Sequence, residues 1–217
     1  MAKRVGRWLV GMSVLAAALF AAAGTLTDRW LWTYVTVVAL VTLWPVLTMS
    51  DELARERFKP PTGGADRLPL RAIRILALAH ALIGAMDSGR WHLAPVPPTL
   101  RAIALAGVGV SFAMVYRAML ENRFFSPVVR IQRERGHHVI DSGPYAFVRH
   151  PGYAGMIAGV LFSGLALGSW IGFGLAGLYG VLILRRVLFE DRYLRANLEG
   201  YADYAGRVRF RLLPGAF

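Results

Sequence analysis

Long apolar stretches separated by short polar segments dominate the pattern of hydrophobic and polar positions along the chain. Six of them approach the roughly 20 residues that a helix needs to cross about 30 Å of hydrocarbon. A single apolar segment in lipid must satisfy its own backbone hydrogen bonds, so the pattern predicts an all-α integral membrane protein with about six transmembrane helices. The third run is the weakest, because it is short and contains His80. The six runs lie near 8–26, 30–49, 72–86, 99–120, 152–168 and 170–188.

Composition and charge support this prediction. Of the 217 residues, 56% are apolar and 18% are charged, which excludes a disordered chain and disfavours an ordinary soluble domain. The net charge is +12, from 25 Lys and Arg against 13 Asp and Glu. With the N-terminus in the cytoplasm, 22 of the 25 basic residues fall on the inner side. This positive-inside pattern predicts a multi-pass protein with cytoplasmic termini, and it explains the basic charge without nucleic acid.

The N-terminal part, residues 1–110, is interpreted as scaffold helices. Its basic start and small residues near Ala23 resemble a signal peptide, but the apolar run exceeds a usual signal h-region and a second span follows, so we expect a retained helix. Segment 51–74 contains Pro60-Pro61 and Gly63-Gly64, which predict a cytoplasmic loop. No cysteine is present, which excludes disulfides, thiolate zinc sites and a cysteine nucleophile.

Candidate chemistry concentrates in the C-terminal part, residues 111–217. The inner-face segment 121–155 is polar and cationic but rich in aromatic residues, which is unusual for a plain connector. Pro151 disfavours helical geometry at His150, so Arg149 and His150 should lie on extended chain just before a helix N-terminus. Free N–H groups at such an N-terminus suit a negatively polarised ligand group.

A second cluster follows the last apolar run. Arg186 and Glu190 are four residues apart and therefore share one helix face. Such a pair at a membrane helix end can also simply reach the interface, and spacing alone leaves both interpretations open. Beyond it, residues 201–214 are amphipathic and basic, which predicts a C-terminal interfacial helix.

Five sequence blocks together resemble the isoprenylcysteine carboxyl methyltransferase family, a group related to phospholipid N-methyltransferases. The resemblance covers about residues 120–217, and residues 1–110 contribute hydropathy only. One departure is Asp191, where many members have a second Glu, which slightly weakens the case for a role there. The blocks are GHHVI at 136–140, GPY at 143–145, RHPGYAG at 149–155, ED-x-x-L at 190–194, and the tail from Tyr201 through Arg211-Leu-Leu-Pro214.

The resemblance implies methyl transfer from S-adenosylmethionine to a lipophilic acceptor that enters between helices, with the cofactor in a cytosolic loop. It implies that Arg186 faces an acceptor carboxylate, most simply that of an isoprenylcysteine-like substrate, and that Glu190 contacts the cofactor. We take Arg186 and Glu190 as the catalytic candidates. By the same resemblance, the expected cofactor-binding positions are Gln132, His137, His138, Val139, Ile140, Gly143, Tyr145, Arg149, His150, Pro151, Gly152, Tyr153 and Glu190.

Other functions remain open at this stage. A phospholipid amine or a small thiol could be the acceptor, and an amine would need His150 or Glu190 to take its proton. An NADPH-dependent sterol-type reductase is the rival, because such reductases resemble the same C-terminal half. We expect no metal site, since the His spacing fits no common zinc motif. Membrane lipids are expected partners, the compact size favours a prokaryotic cytoplasmic membrane, and the oligomeric state stays open.

Overall fold

The computed structural model describes residues 1–58, 67–93 and 95–217. Within these ranges the regular structure is helical, and the only strand-like feature is one isolated bridge between Pro95 and Ser169. The all-α prediction is therefore confirmed. The α-helices are α1 (Ala2–Ala23), α2 (Arg29–Thr48), α3 (Asp51–Phe58), α4 (Arg67–Met86), α5 (Pro98–Glu121), α6 (Pro151–Ala166), α7 (Trp170–Asn197) and α8 (Tyr201–Arg207).

Helix boundaries follow from local sequence. Asp28 caps α2, because its carboxylate accepts hydrogen bonds from the backbone N–H groups of residues 30 and 31, and Ser169 caps α7 in the same way. Gly24 ends α1 in the left-handed conformation. Pro98 and Pro151 occupy the first positions of α5 and α6, where a missing N–H costs nothing.

Each of the six apolar runs forms a helix, but the helices differ as membrane spans. In the described ranges, α1, α2, α5 and α7 are long and apolar enough to cross a membrane. Helix α6 is apolar but has only 16 residues, and α4 contains Arg71 and Arg74 in its first half. The chain is therefore a membrane protein, whereas the count of six spans remains a prediction.

The loop predicted at 51–74 needs a correction, since α3 and the first turns of α4 fall within it. Ser50 precedes α3 and caps it, because its Oγ accepts a hydrogen bond from the Leu53 N–H at 3.2 Å. Two acidic residues in the first turn and two arginines in the last turn favour this short helix through its dipole. The Pro-Pro and Gly-Gly pairs at 60–61 and 63–64 lie outside the described residues.

The long helices pack as a bundle. Helix α5 lies against α2 and α6, α7 lies against α6 and α4, and α1 contacts α2 and α4. Close approach of α5 and α6 requires a small residue, because a Cβ on Gly155 would lie 2.8 Å from the Ser111 carbonyl oxygen. Small residues of this kind favour helix association in lipid by allowing tight packing.

A buried polar cluster, here called the bundle cluster, joins three of these helices. The hydroxyls of Tyr34 and Ser163 lie 2.7 Å apart, and His80 Nε2 lies 2.9 Å from Ser163 Oγ. All three residues are buried, and their mutual hydrogen bonds offset much of the cost of placing polar groups in an apolar layer.

Helix α7 extends beyond the apolar layer and carries the charged residues of the second cluster. Its 28 residues correspond to about 42 Å, whereas a bilayer core is about 30 Å thick. The chain after α8 then folds back onto the residues preceding α6, where Arg149 N–H donates to Phe210 O at 2.9 Å and His150 N–H donates to Arg211 O at 2.8 Å. The tail thus lies beside the end of α7.

Candidate active site

A cavity of about 420 Å³ lies among α3, the first halves of α4 and α6, the second half of α7, α8 and the connecting segment 122–140. Its wall between α4 and α7 is mainly apolar and includes Ile73, Ala77 and Ile183. Its opposite wall carries polar and aromatic side chains from the connecting segment and from the start of α6. The cavity therefore offers an apolar side and a polar side to one ligand.

Most of the site residues predicted from the sequence line this cavity. They come from three separate segments, which the fold brings together. Three predicted residues, Gln132, Gly143 and Pro151, are not among the described lining residues. Those that line it are His137, His138, Val139, Ile140, Tyr145, Arg149, His150, Gly152, Tyr153, Arg186 and Glu190.

The three exceptions do not line the cavity but support the segments that do. Gln132 is buried, donates to Phe124 O at 2.6 Å and accepts a hydrogen bond from Arg135. Gly143 begins a short 3₁₀ turn with φ of +55°, a backbone conformation that favours glycine. Pro151 is the buried first residue of α6. These contacts orient the connecting segment and the start of α6.

The two catalytic candidates are linked through Tyr153. Its hydroxyl donates to Glu190 Oε2 at 2.6 Å and accepts from Arg186 Nε at 2.7 Å. Arg186 also donates to Pro127 O at 2.6 Å. The spacing on one helix face thus brings Arg186 and Glu190 to the same cavity, and a tyrosine from α6 holds both in place.

Asp191 is the centre of a second network, here called the carboxylate cluster. Arg149 donates to both of its carboxylate oxygens, at 2.7 and 3.2 Å. Tyr201 OH donates at 3.1 Å and Arg211 Nε at 3.1 Å, while His150 Nε2 lies 3.4 Å away. Asp191 and Arg149 are almost fully buried, so each compensates the other's charge. The shorter acid at this position therefore has a structural part that the sequence analysis underrated.

Arg149 also fixes the tail. Its Nη1 group donates to the carbonyl oxygens of Val208 and Arg209, at 2.6 and 2.8 Å. Together with the backbone pairing at residues 149 and 150, these bonds attach the chain after α8 to the start of α6. One buried ion pair thereby joins α7, α6 and the tail around one side of the cavity.

Aromatic stacking organises the connecting segment. The Phe124 ring lies 4.4 Å from the His137 ring and 5.0 Å from the His138 ring, centroid to centroid. His137 Nδ1 accepts a hydrogen bond from the Gln132 N–H at 3.2 Å, which requires an unprotonated Nδ1. Burial lowers the pKa of His137 to about 4, with a further contribution from the His138 charge. His137 is therefore neutral near pH 7.

The motif glycine at 152 has a steric reason. A Cβ there would lie 2.7 Å from the Phe125 ring, which is closer than carbon atoms pack. Gly152 thus lets the connecting segment approach the start of α6. A cation also lies near this ring, since the Arg57 guanidinium carbon is 5.7 Å from the Phe125 centroid.

The charge of the cavity is strongly positive. Among the described lining residues, Glu190 is the only acid, while the arginines number five. Arg130 pairs with Glu56, and Arg149 pairs with Asp191. The cavity is suited to a ligand with an anionic group next to an apolar part. The five arginines are Arg57, Arg74, Arg130, Arg149 and Arg186.

Several lining residues had no assigned role in the sequence analysis. Tyr201 and Tyr204 belong to a recognised block but received none, and burial raises the pKa of both hydroxyls. Arg57 and Arg74 come from the part interpreted as scaffold, where no motif marks them. In the described part of the chain, no group of three His, Cys, Asp or Glu residues could hold a metal ion.

Comparison with known proteins places these motifs in a family. Residues 100–196 match the model of the isoprenylcysteine carboxyl methyltransferase (ICMT) family. The cobalt-zinc-cadmium resistance protein CzcN of Cupriavidus metallidurans is 30% identical over 143 residues, which cover 64% of this chain and 59% of that protein. Protein-S-isoprenylcysteine O-methyltransferase B of Arabidopsis thaliana is 30% identical over 91 residues, covering 40% of this chain and 45% of that protein.

The chain thus spans about half the length of these curated relatives. All site residues predicted from the sequence lie within the matched range 100–196. The resemblance drawn from the five blocks is confirmed, since residues 100–196 match the isoprenylcysteine carboxyl methyltransferase family model.

Proposed function

We propose that this protein transfers a methyl group from S-adenosylmethionine to the carboxylate of a lipophilic, isoprenylcysteine-like acceptor at the cytosolic face of a membrane. The observation that carries the proposal is the cavity in which Tyr153 links Arg186 to Glu190. The family match covers these three residues. The apolar wall between α4 and α7 supports a lipophilic acceptor.

The donor set of the cavity fits S-adenosylmethionine. Glu190 is an acidic lining residue suited to the ammonium of the cofactor, and aromatic faces such as Tyr153 and Tyr201 favour a sulfonium cation. The flat rings around Phe124 suit stacking with an adenine. We assign His137, His138, Val139, Ile140, Tyr145, His150 and Gly152 to the same binding surface, because all line the cavity.

The chemistry requires orientation more than acid or base catalysis. S-adenosylmethionine supplies an electrophilic methyl group, so that an acceptor oxygen forms the new O–C bond while the S–C bond breaks and its electron pair stays on sulfur. A carboxylate acceptor has no proton to lose, so no general base is needed. Arg186 would hold this carboxylate through its forked N–H groups, in an orientation that Tyr153 and Pro127 help to fix.

The tail supports the proposal by limiting water access. Arg149 and Asp191 attach the residues after α8 beside the cavity, and excluding water strengthens charge interactions inside such a site. We further propose that both termini lie in the cytoplasm of a prokaryotic cell. This orientation puts the cavity next to the cytosolic pool of the methyl donor.

Binding of S-adenosylhomocysteine, the demethylated cofactor, tests the proposal. We expect the purified full-length protein in lipid nanodiscs to bind it in calorimetry. Glu190→Gln should weaken binding about 10-fold or more, because a charge-assisted hydrogen bond contributes about 1.5–3 kcal/mol. The matched control is Glu199→Gln, which removes an exposed acid nearby. Tight binding of NADPH without binding of S-adenosylhomocysteine would instead favour the reductase.

Turnover of a carboxylate acceptor separates cofactor binding from acceptor recognition. Arg186→Gln should leave S-adenosylhomocysteine binding within about 2-fold and abolish methylation of N-acetyl-S-farnesyl-L-cysteine. Arg185→Gln, which alters the exposed neighbour, should retain turnover. Persistent methylation by Arg186→Gln would contradict the assigned role and point to an amine or thiol acceptor.

A further inference from the structure

Helix α3 contributes one cation to the cavity from outside the region that matches the family. Its inward face is formed by Leu53, Glu56 and Arg57, which follow helical spacing, whereas Asp51 and Arg55 are exposed. Glu56 pairs with Arg130 at 2.7 Å, which anchors α3 to the connecting segment. Arg57, on the next position, lines the cavity. The helix is therefore held in place by one residue and presents another to the ligand space.

In the described part of the chain, the surroundings of the Arg57 guanidinium are aromatic and cationic. In the described ranges, no hydrogen bond or ion pair joins its guanidinium to another residue, and the Phe125 ring centroid lies 5.7 Å from its guanidinium carbon. Burial lowers the pKa of Arg57, nearby tyrosines oppose this shift, and the charge of Arg186 adds to it. A desolvated cation beside a second cation is costly unless an anion lies near both.

The wall beside the two arginines is apolar. Ile73 and Ala77 from α4 and Ile183 from α7 line it, and these residues continue into a buried hydrophobic cluster between the two helices. A ligand that satisfies both features has an anionic head and a hydrocarbon tail. A cationic head, such as a phospholipid amine, would meet two positive charges.

We propose that Arg57 and Arg186 together form a clamp for the carboxylate of the lipid-linked acceptor, with Arg57 as a specificity-determining residue supplied by α3. The inference rests on the proposed function and adds a second contact to the acceptor carboxylate, made by α3. Arg186 holds the carboxylate relative to the methyl donor, and Arg57 selects for its negative charge. The Phe125 ring, for which Gly152 leaves room, packs against the Arg57 guanidinium.

Two probes that differ only in head-group charge test the clamp. Binding of N-acetyl-S-farnesyl-L-cysteine and of its neutral carboxamide is measured on the full-length protein in nanodiscs saturated with S-adenosylhomocysteine. Arg57→Gln should weaken carboxylate binding about 10- to 100-fold and change carboxamide binding less than about 2-fold. Arg57→Lys should retain part of the discrimination. Arg55→Gln, which removes an exposed arginine of the same helix, should match the wild type for both probes.

Each contrary result has a separate meaning. If the wild type does not bind S-adenosylhomocysteine, the proposed function fails. If it does, but binds neither probe or binds both equally, the clamp is wrong and the cofactor assignment stands. Equal weakening of both probes in Arg57→Gln, or loss of S-adenosylhomocysteine binding and thermal stability in that variant, would make Arg57 a structural residue and would also overturn the clamp.

Discussion

The two buried polar clusters of this protein differ in charge and in partners. The bundle cluster consists of Tyr34, His80 and Ser163, side chains that can all stay neutral. The carboxylate cluster places a carboxylate, Asp191, against guanidinium, imidazole and phenol groups from the residues just before α6, from α8 and from the tail. Both are buried, but only the second contains formal charges.

The difference follows from the surroundings. In an apolar layer an ion costs several kcal/mol, whereas neutral hydrogen-bonded groups are tolerated. Near the membrane surface a buried carboxylate can be balanced by several cations at once, and here Arg149 and Arg211 do so. The charged cluster can therefore attach a whole segment of chain, while the neutral one only fixes the register of three packed helices.

Removing the central carboxylate should have the largest effect. Asp191→Ala leaves Arg149 buried without its acidic partner, and breaking a buried ion pair from one side costs about 3–5 kcal/mol. We expect a lower denaturation midpoint in nanodiscs and faster proteolysis after α8. Asp203→Ala, which removes an exposed acid from α8, is the control. An Asp191→Ala variant as stable as this control would show that the tail is attached by other contacts.

Adding one methyl group at the start of α6 tests whether the region around the carboxylate cluster also depends on close packing. In Gly152→Ala the new Cβ would meet the Phe125 ring at 2.7 Å, and such overpacking costs about 1–3 kcal/mol. Both stability and S-adenosylhomocysteine binding should fall. Gly177→Ala on α7, where nothing lies within 4 Å of the new Cβ, should be neutral or slightly stabilising. Equal results for the two variants would refute the steric role of Gly152.

The bundle cluster should respond less than the carboxylate cluster. Ser163→Ala removes the shared partner of Tyr34 and His80, but hydrogen bonds between membrane helices contribute only about 0.6 kcal/mol on average, with a maximum near 1.7. We expect a destabilisation in this range, measured by denaturant unfolding in nanodiscs. Ser13→Ala, at an exposed site on α1, should have no effect. A loss as large as that of Asp191→Ala would erase the distinction between the clusters.

The sequence predicted the residues around the cavity far better than the contacts within the bundle. The block from Arg149 to Tyr153 and the pair at 186 and 190 identified side chains that the structure brings to one cavity. Local rules were sufficient there, because proline fixes where α6 begins and helical spacing aligns Arg186 with Glu190. The apolar runs likewise predicted six of the helices, with ends shifted by up to nine residues.

Long-range contacts were not predictable in this way. Tyr34 and Ser163 are 129 positions apart in the chain, and nothing local marks either as a partner. Arg57 has the composition of a solvated loop residue, and only the packing of α3 against the connecting segment brings it to the cavity. The part of Asp191 was underrated for the same reason, since its main partner, Arg149, is 42 positions away in the chain.

A pH titration compares two adjacent histidines, of which His137 is partly buried and His138 is exposed. The folded pKa of His137 is about 4, below the value of about 6.5 expected in the unfolded chain. Because folding disfavours the protonated form, the stabilisation from neutral His137 is present above about pH 6.5 and is lost as the pH falls toward 4. S-adenosylhomocysteine binding and stability should thus be constant from pH 8 to 6.5 and decline below pH 6.5.

His137→Gln should flatten this decline, since its amide does not titrate, whereas His138→Gln should preserve it. If the decline persists in His137→Gln, groups other than His137 cause the acid sensitivity. The hydrogen bond from Gln132 to His137 would then not explain it.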